Sequence, residues 1–495
     1  MITVVVLGDQ LNRSIGALGD AQPATHRVLF VESRGKIASR PWHRQRAHFI
    51  VASMRRFAAD LGTEGFDVDY RVAATMREGI EAHRNDHAPT AMIATEPNSY
   101  DARLLFQKLN IATVRSNQFL CHPDDFATFA ATKKSFKMED FYRWQRRRLG
   151  YLMSGNEPEG DKWNFDDENR QPPPKSGHDR WPLPLTTPLD ELDHEVLASL
   201  PDSCWGAPPN GLWATSRAGA LARLDYFIER VLPHFGPHED AMLTNNWHLA
   251  HSLLSPYLNN GLLLPAEVCD AVQRAYEEGL VPINSAEGFI RQIIGWREFI
   301  WNTYWREMPE YRTSNHLHAT RPLPPMFTSG NTNMRCMANS LAGVRERAWV
   351  HHIPRLMVLG NFALLTGIEP RAFTEWMWNS FIDAAEWVMV PNVVGMSLYA
   401  DGGIIATKPY AAGGAYVDRM SDHCKGCAYD RKKRTGDDAC PFTTLYWDFL
   451  ARHGEAFARN PRIVTQVRAA QKLADLPDVR TTAAGVLGGV DTGRI

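Results

Sequence analysis

The sequence predicts two joined architectures: an α/β N-terminal part built on a doubly wound parallel sheet, and an all-α C-terminal part carrying a thiol-ligated metal centre. Three observations predict this. Short apolar, β-branched runs alternate with helical stripes over roughly residues 1–125. From about residue 190, stripes of helical period follow one another with no convincing strand between them. Near the end, Cys424-x-x-Cys427 is followed by Cys440-Pro441, with Cys336 upstream. The expected organisation is an α/β unit over 1–130, a basic segment and interdomain linker over 131–190, and an all-α unit over 191–495.

Residues 2–7, ITVVVL, form the first strand and run into Gly8-Asp9-Gln10; a second strand, Val28 to Val31, ends at Glu32-Ser33. Ile50, Met54, Phe57, Ala58 and Leu61 recur at helical spacing. Strands follow near 68–72 and 91–94, then a helix over 102–109 and a strand near 111–114. Ligands on such sheets bind outside the carboxyl ends of the strands. Asp9, Gln10, Glu32 and Ser33 therefore stand at a candidate pocket, a position that turn and cap residues would also occupy. The absence of G-x-G-x-x-G argues against a dinucleotide.

Residues 131–150 are basic and aromatic, and Lys133, Lys134, Lys137, Arg143 and Arg146–Arg148 are candidates for phosphate contact, as well as for a solvated helix face. Ser154 to Pro188, rich in Gly, Pro, Asn and Asp, reads as a linker. Helices are expected over 212–232, 252–258, 267–278, 287–304, 350–365, 371–381 and 442–457. The net charge of −2 gives no global field for nucleic acid, so any DNA contact must come from a local patch. Seven cysteines in no regular framework argue against a secreted disulfide scaffold. No run reaches the ~20 apolar residues of a membrane span. The chain reads as soluble, cytoplasmic and monomeric, with its 15 tryptophans as helix-packing anchors or a functional cluster.

Two thiolates separated by two residues bring both sulfurs to one side of a turn and can hold one metal centre. Cys440 supplies a third and Cys336 a fourth. A cysteine followed by proline recurs in iron–sulfur sequences, and four clustered thiols also suit a structural zinc; both remain open at this point. The long gap between Cys336 and Cys424 is unlike a compact zinc finger.

Five stretches in the second half form an ordered set: SLLSPYLNNG at 252–261, GFIRQIIGWREF at 288–299, HHIPRLMVLG at 351–360, FIDAAEWVMVPNVVGM at 381–396 and DGGIIATKPY at 401–410. Together they resemble the FAD-binding domain of the cryptochrome/photolyase family. With LGDQL at 7–11, KWNFDDENR at 162–170 and the four cysteines, the chain is most similar to the prokaryotic iron–sulfur branch, the bacterial (6-4) photolyases.

The resemblance implies FAD held by Ser252, Leu254, Ser255, Arg297, Asn392 and an Arg355–Asp383 pair beside the flavin ring. It implies a catalytic histidine at His352, supported by His351, and a lesion-reading Gln292. Moving a group between pyrimidines needs a proton donor near neutral pH, and histidine has the fitting pKa. The animal-type enzymes' second histidine falls at Leu356. Trp376 matches the first electron-transfer partner of the flavin, with Tyr410 and Tyr416 between flavin and surface, while Trp301, Trp305, Trp378 and Trp387 read as packing. The resemblance further implies a [4Fe-4S] cluster of structural role on Cys336, Cys424, Cys427 and Cys440, in a module like that of the large primase subunit. It makes the N-terminal sheet an antenna domain holding 6,7-dimethyl-8-ribityllumazine through Asp9, Gln10 and Glu32. Folate, deazaflavin or an empty pocket fit the sequence equally. The function implied is light-dependent repair of (6-4) photoproducts in UV-damaged DNA. A cryptochrome-type photoreceptor and an iron–sulfur nucleic-acid-binding protein without photochemistry are the alternatives. The expectation that only about 40 residues follow the last strong helix favours the enzyme, because sensory cryptochromes often carry long polar extensions.

Overall fold

The computed structural model of the chain describes residues 1–131, 133, 137–177 and 180–495. Lys134 of the basic run lies outside the described residues. The N-terminal strands are β1 (Ile2–Val6), β2 (His26–Ser33), β3 (Asp67–Ala73), β4 (Ala91–Thr95) and β5 (Ala112–Val114). They form one parallel sheet in the order β3-β2-β1-β4-β5. Both faces of the central strands are covered, which is why β1 and the Val28–Val31 part of β2 read as largely apolar runs. Val4, Val6, Val28 and Phe30 face the helix Arg44–Thr63 through Phe49, Met54, Phe57 and Leu61. Their alternates Val5, Leu7, Leu29 and Val31 pack on Ile80 and Phe106 from the helices Met76–His87 and Tyr100–Lys108. The chain leaves β1 toward β2 on one side and reaches β4 on the other, so the switch point lies beyond the ends of β1 and β4.

The first of these faces does not end the core. Leu224, Val268, Val272 and Phe289 join it from the helices Arg217–Tyr226, Pro265–Glu277 and Ile283–Ile290. A second apolar core is drawn mostly from residues between Ile300 and Val490, with Phe119 and Met242 joining it. The residues after the helix Pro441–Arg452 are no tail: Val464–Gln471 and Leu476–Asp491 are helices, and Val467, Ala470, Ala483 and Val490 pack into that core. Small residues in this segment (AAGVLGG) hide the stripe that a larger apolar set would have displayed.

Four helical segments among the described residues are π-helical: Phe227–Val231, Arg291–Arg297, Pro354–Gly360 and Asn392–Ser397. Each is set within or against α-helix and adds a residue to the turn, which re-aims the side chains that follow.

Candidate active site

The last three π segments carry Gln292, Arg297, Arg355 and Asn392, and these line one cavity of about 690 Å³. Arg355 and Asp383 form a two-pronged ion pair at 2.9 and 3.0 Å. Burying such a pair is tolerated only when the remaining hydrogen-bonding capacity is satisfied, and here it is. Arg355 Nε donates to the Val350 carbonyl at 2.7 Å, its guanidinium lies 4.2 Å from the Phe381 ring centre, and Ser255 Oγ donates to Asp383 Oδ2 at 2.6 Å. Arg297 lies over Phe119 and Trp387, at 4.1 and 5.2 Å from their ring centres, and its buried Nε has no partner among the described residues.

A charged corner closes the cavity on another side. His352, with a side chain 54 % exposed, places Nε2 3.2 Å from Asp240 Oδ1. Burial pushes the Asp240 carboxyl up, but the hydrogen bond and charge of His352 outweigh it and hold the group below its ordinary range. Glu239 is buried, and desolvation, reinforced by the Asp240 charge, raises it to about 8. Arg291 pairs with Asp166, and Arg170, Lys408 and Arg419 add positive charge to the lining.

A second cavity of about 340 Å³ lies at the switch point of the sheet. Gly8-Asp9 and Asn98-Ser99 close one side, Lys36, Trp42 and Arg46 another, and Trp378 and Glu386 come from the helical half. Asn259, Asp383 and Trp387 line both cavities. Burial raises Asp9 to about 6, with a hydrogen bond from Asn98 opposing. Asn98 Oδ1, Arg46 Nε and Trp387 Nε1 are buried without a partner among the described residues.

The four cysteines surround a third, small void of about 20 Å³, walled by Met334, Val417 and Phe442. Cys336 opens the helix Arg335–Arg347, and Cys440 caps the helix Pro441–Arg452. Burial raises the Cys440 thiol, while the amides of Thr443 and Phe442 pull it down. Burial, then the other three sulfurs, push the Cys336 thiol well up.

Residues 4–208 match the family model described as deoxyribodipyrimidine photo-lyase-related protein. Over 99 % of its length the chain is 41 % identical to the (6-4) photolyase of Agrobacterium fabrum, 99 % of which is covered. The chain belongs to the (6-4) photolyase family. Its fold is that of the wider photolyase/cryptochrome group. A bacterial class III photolyase from Agrobacterium tumefaciens superimposes with a TM-score of 0.58 at 17 % identity, covering 94 % of this chain and 98 % of its own. A Synechocystis cryptochrome superimposes with 0.55 at 15 % identity, covering 99 % and 95 %.

Within this photolyase fold, Ser252, Ser255, Gln292, Arg297, His352, Arg355, Asp383, Asn392, Tyr410 and Tyr416 all line the first cavity. Other expectations require correction. Ser255 gives its hydroxyl proton to Asp383 and so holds the ion pair rather than facing a cofactor directly. Leu254 is fully buried in the core beneath the lining. His351 is turned inward and stacks on His251 at 4.3 Å. Trp376 sits behind Phe381, 6.1 Å away, and donates to the Phe327 carbonyl. Gln10 donates to the Glu96 carbonyl, and Glu32 is paired with Arg55 and Tyr70, so only Asp9 of that trio reaches the second cavity. Arg146 is fully buried and caps the Tyr151 and Leu152 carbonyls, which removes it from the phosphate-contact set. Trp387 and Trp378 are cavity walls, not packing alone. Glu239, Asp240, Arg170 and Lys408 escaped the sequence reading because they lie outside regular helices, where no period shows, and Arg419 because its helix, Gly414–Met420, is too short to show one.

Proposed function

We propose that the chain is a light-dependent (6-4) photolyase that holds FAD in the larger cavity and takes in a pyrimidine flipped out of UV-damaged DNA. The observation that carries this reading is His352: exposed, lining the same cavity as the Arg355–Asp383 pair, and oriented by Asp240. Bound, reduced FAD supplies, on absorbing blue or near-UV light, the electron that opens the lesion. Arg355, with its charge fixed by Asp383 and Val350, favours an anionic ring at that position. Arg297, Asn392 and Ser252 supply further contacts. His352 delivers the proton to the migrating group, Asp240 holds the imidazole, and Gln292 reads the polar edge of the base. Arg170, Lys408 and Arg419 meet phosphates. Tyr410 and Tyr416, which line the cavity, would relay electrons from the protein surface to the flavin.

The four-thiol site suits a [4Fe-4S] cluster better than zinc. Tetrahedral zinc at Zn–S ≈ 2.3 Å would hold its sulfurs roughly 3.8 Å apart. Among the described residues, no group of three or more metal-capable side chains with ligand atoms within 4.8 Å includes a cysteine. The Arg434–Asp475 pair at 2.6 Å ties the cysteine loop to the C-terminal helices, consistent with a structural role. The second cavity is the proposed antenna site for 6,7-dimethyl-8-ribityllumazine.

The test is blue-light repair of a (6-4) oligonucleotide by wild type and His352→Ala, with flavin content measured in both. A rate loss of about 10²–10⁴-fold with flavin retained is expected. An unchanged rate removes His352 from the chemistry.

A further inference from the structure

Three histidines, only one of which the repair reading needs, converge beside the cavity. His251 and His351 stack at 4.3 Å with planes 20° apart, and His352 meets His251 edge-on at 6.0 Å. One ring nitrogen from each lies within 4.8 Å of the other two. Nε2 of His251 and Nδ1 of His351 are buried and have no hydrogen-bond partner among the described residues. A buried polar atom left without a partner is unfavourable unless something binds it.

The outer contacts are those of ligating imidazoles. Asp240 occupies Nε2 of His352, leaving that ring's other nitrogen to ligate. The Glu239 backbone is a hydrogen-bond partner of His251, whose Nε2 stays unpartnered. An acceptor on one nitrogen fixes the tautomer so that the other offers a lone pair.

We propose that His251, His351 and His352 bind one divalent transition-metal cation of the zinc class. Three imidazoles on zinc at 2.0–2.1 Å stand roughly 3.4 Å apart, a modest closure of the present set. Magnesium and calcium are disfavoured, because they take oxygen ligands. If the (6-4) repair reading holds, on which this consequence rests, the ion brakes the reaction: His352 releases its proton to solvent and commits its lone pair to the metal.

The test uses the full-length protein with its cofactors, dialysed against chelator and titrated with Zn²⁺ against a chromophoric competitor. Co²⁺ absorption then reports the ligand type, since thiolate ligation adds intense near-UV bands that a nitrogen site lacks. One zinc per chain is expected, with affinity weakened at least tenfold in His251→Gln and in His352→Ala; the latter alters an exposed side chain and spares the core. Equal binding by wild type and both variants, or cobalt spectra of thiolate type, overturns the proposal. Repair assays on the same samples separate the two readings. Zinc that binds without slowing repair upholds the site and removes His352 from the chemistry, and a chain that repairs nothing still reports the site through binding.

Discussion

The two large cavities share the wall of Asn259, Asp383 and Trp387, yet they are assembled in opposite ways. The larger is made by a few helices whose π segments each turn a run of neighbouring residues inward. The smaller is made where the carboxyl end of the sheet meets the helical half, from residues separated by hundreds of positions. A site of the first kind leaves compact motifs in a sequence; a site of the second kind leaves single residues that resemble any turn.

The strongest way to break this contrast is at the shared wall. Asp383→Ala leaves Arg355 buried and uncompensated, at a cost of about 3–5 kcal/mol. It is expected to lower the Tm and abolish flavin retention, read by absorbance of the purified protein. A variant that keeps stoichiometric flavin shows that the pair is not the ring's anchor. On the other side of the wall, Trp42→Ala is expected to empty the smaller cavity of its chromophore while leaving flavin content unchanged. Repair under light absorbed by the flavin alone should also be unchanged. Loss of both chromophores would mean that the two cavities do not act separately. Replacing Cys424 with Ser is expected to lower iron content and solubility together, and a soluble, iron-free, active variant would contradict a structural cluster.

These contrasts also explain what was legible. The parallel sheet showed because strands buried on both faces, such as Ile2–Val6, are apolar and β-branched at nearly every position, with only Thr3 polar. Arg355, Asp383 and His352 showed because they lie inside contiguous motifs. Gln10 and Glu32 misled: both sit near strand ends, but which way a side chain turns there depends on partners such as Arg55 and Tyr70. Trp42, Arg46 and Asn98 gave no signal, since only the packed fold brings them together. His351 looked catalytic beside His352, but it precedes the helix that His352 opens, and its ring turns inward to stack on His251.

A smaller effect separates the cavities by charge. Each has a lining carboxyl lifted by burial, Glu239 to about 8 and Asp9 to about 6. A carboxyl with a raised folded-state pKa binds more protons folded than unfolded, so stability falls as pH rises between the two values. Glu239→Gln removes that loss. Its Tm advantage over wild type should be absent near pH 4, grow through neutrality and level off above pH 8. For Asp9→Asn the advantage should level off by about pH 6. Parallel curves for the two variants would mean that the two sites are not desolvated to different degrees.

The most direct test of the central claim is blue-light repair by the reduced wild-type protein of two oligonucleotides, one carrying a (6-4) photoproduct and one a cyclobutane dimer. Repair of the (6-4) lesion, with the dimer left intact, is the predicted result. Repair of the dimer alone, or of neither substrate while flavin is bound and photoreducible, would contradict it.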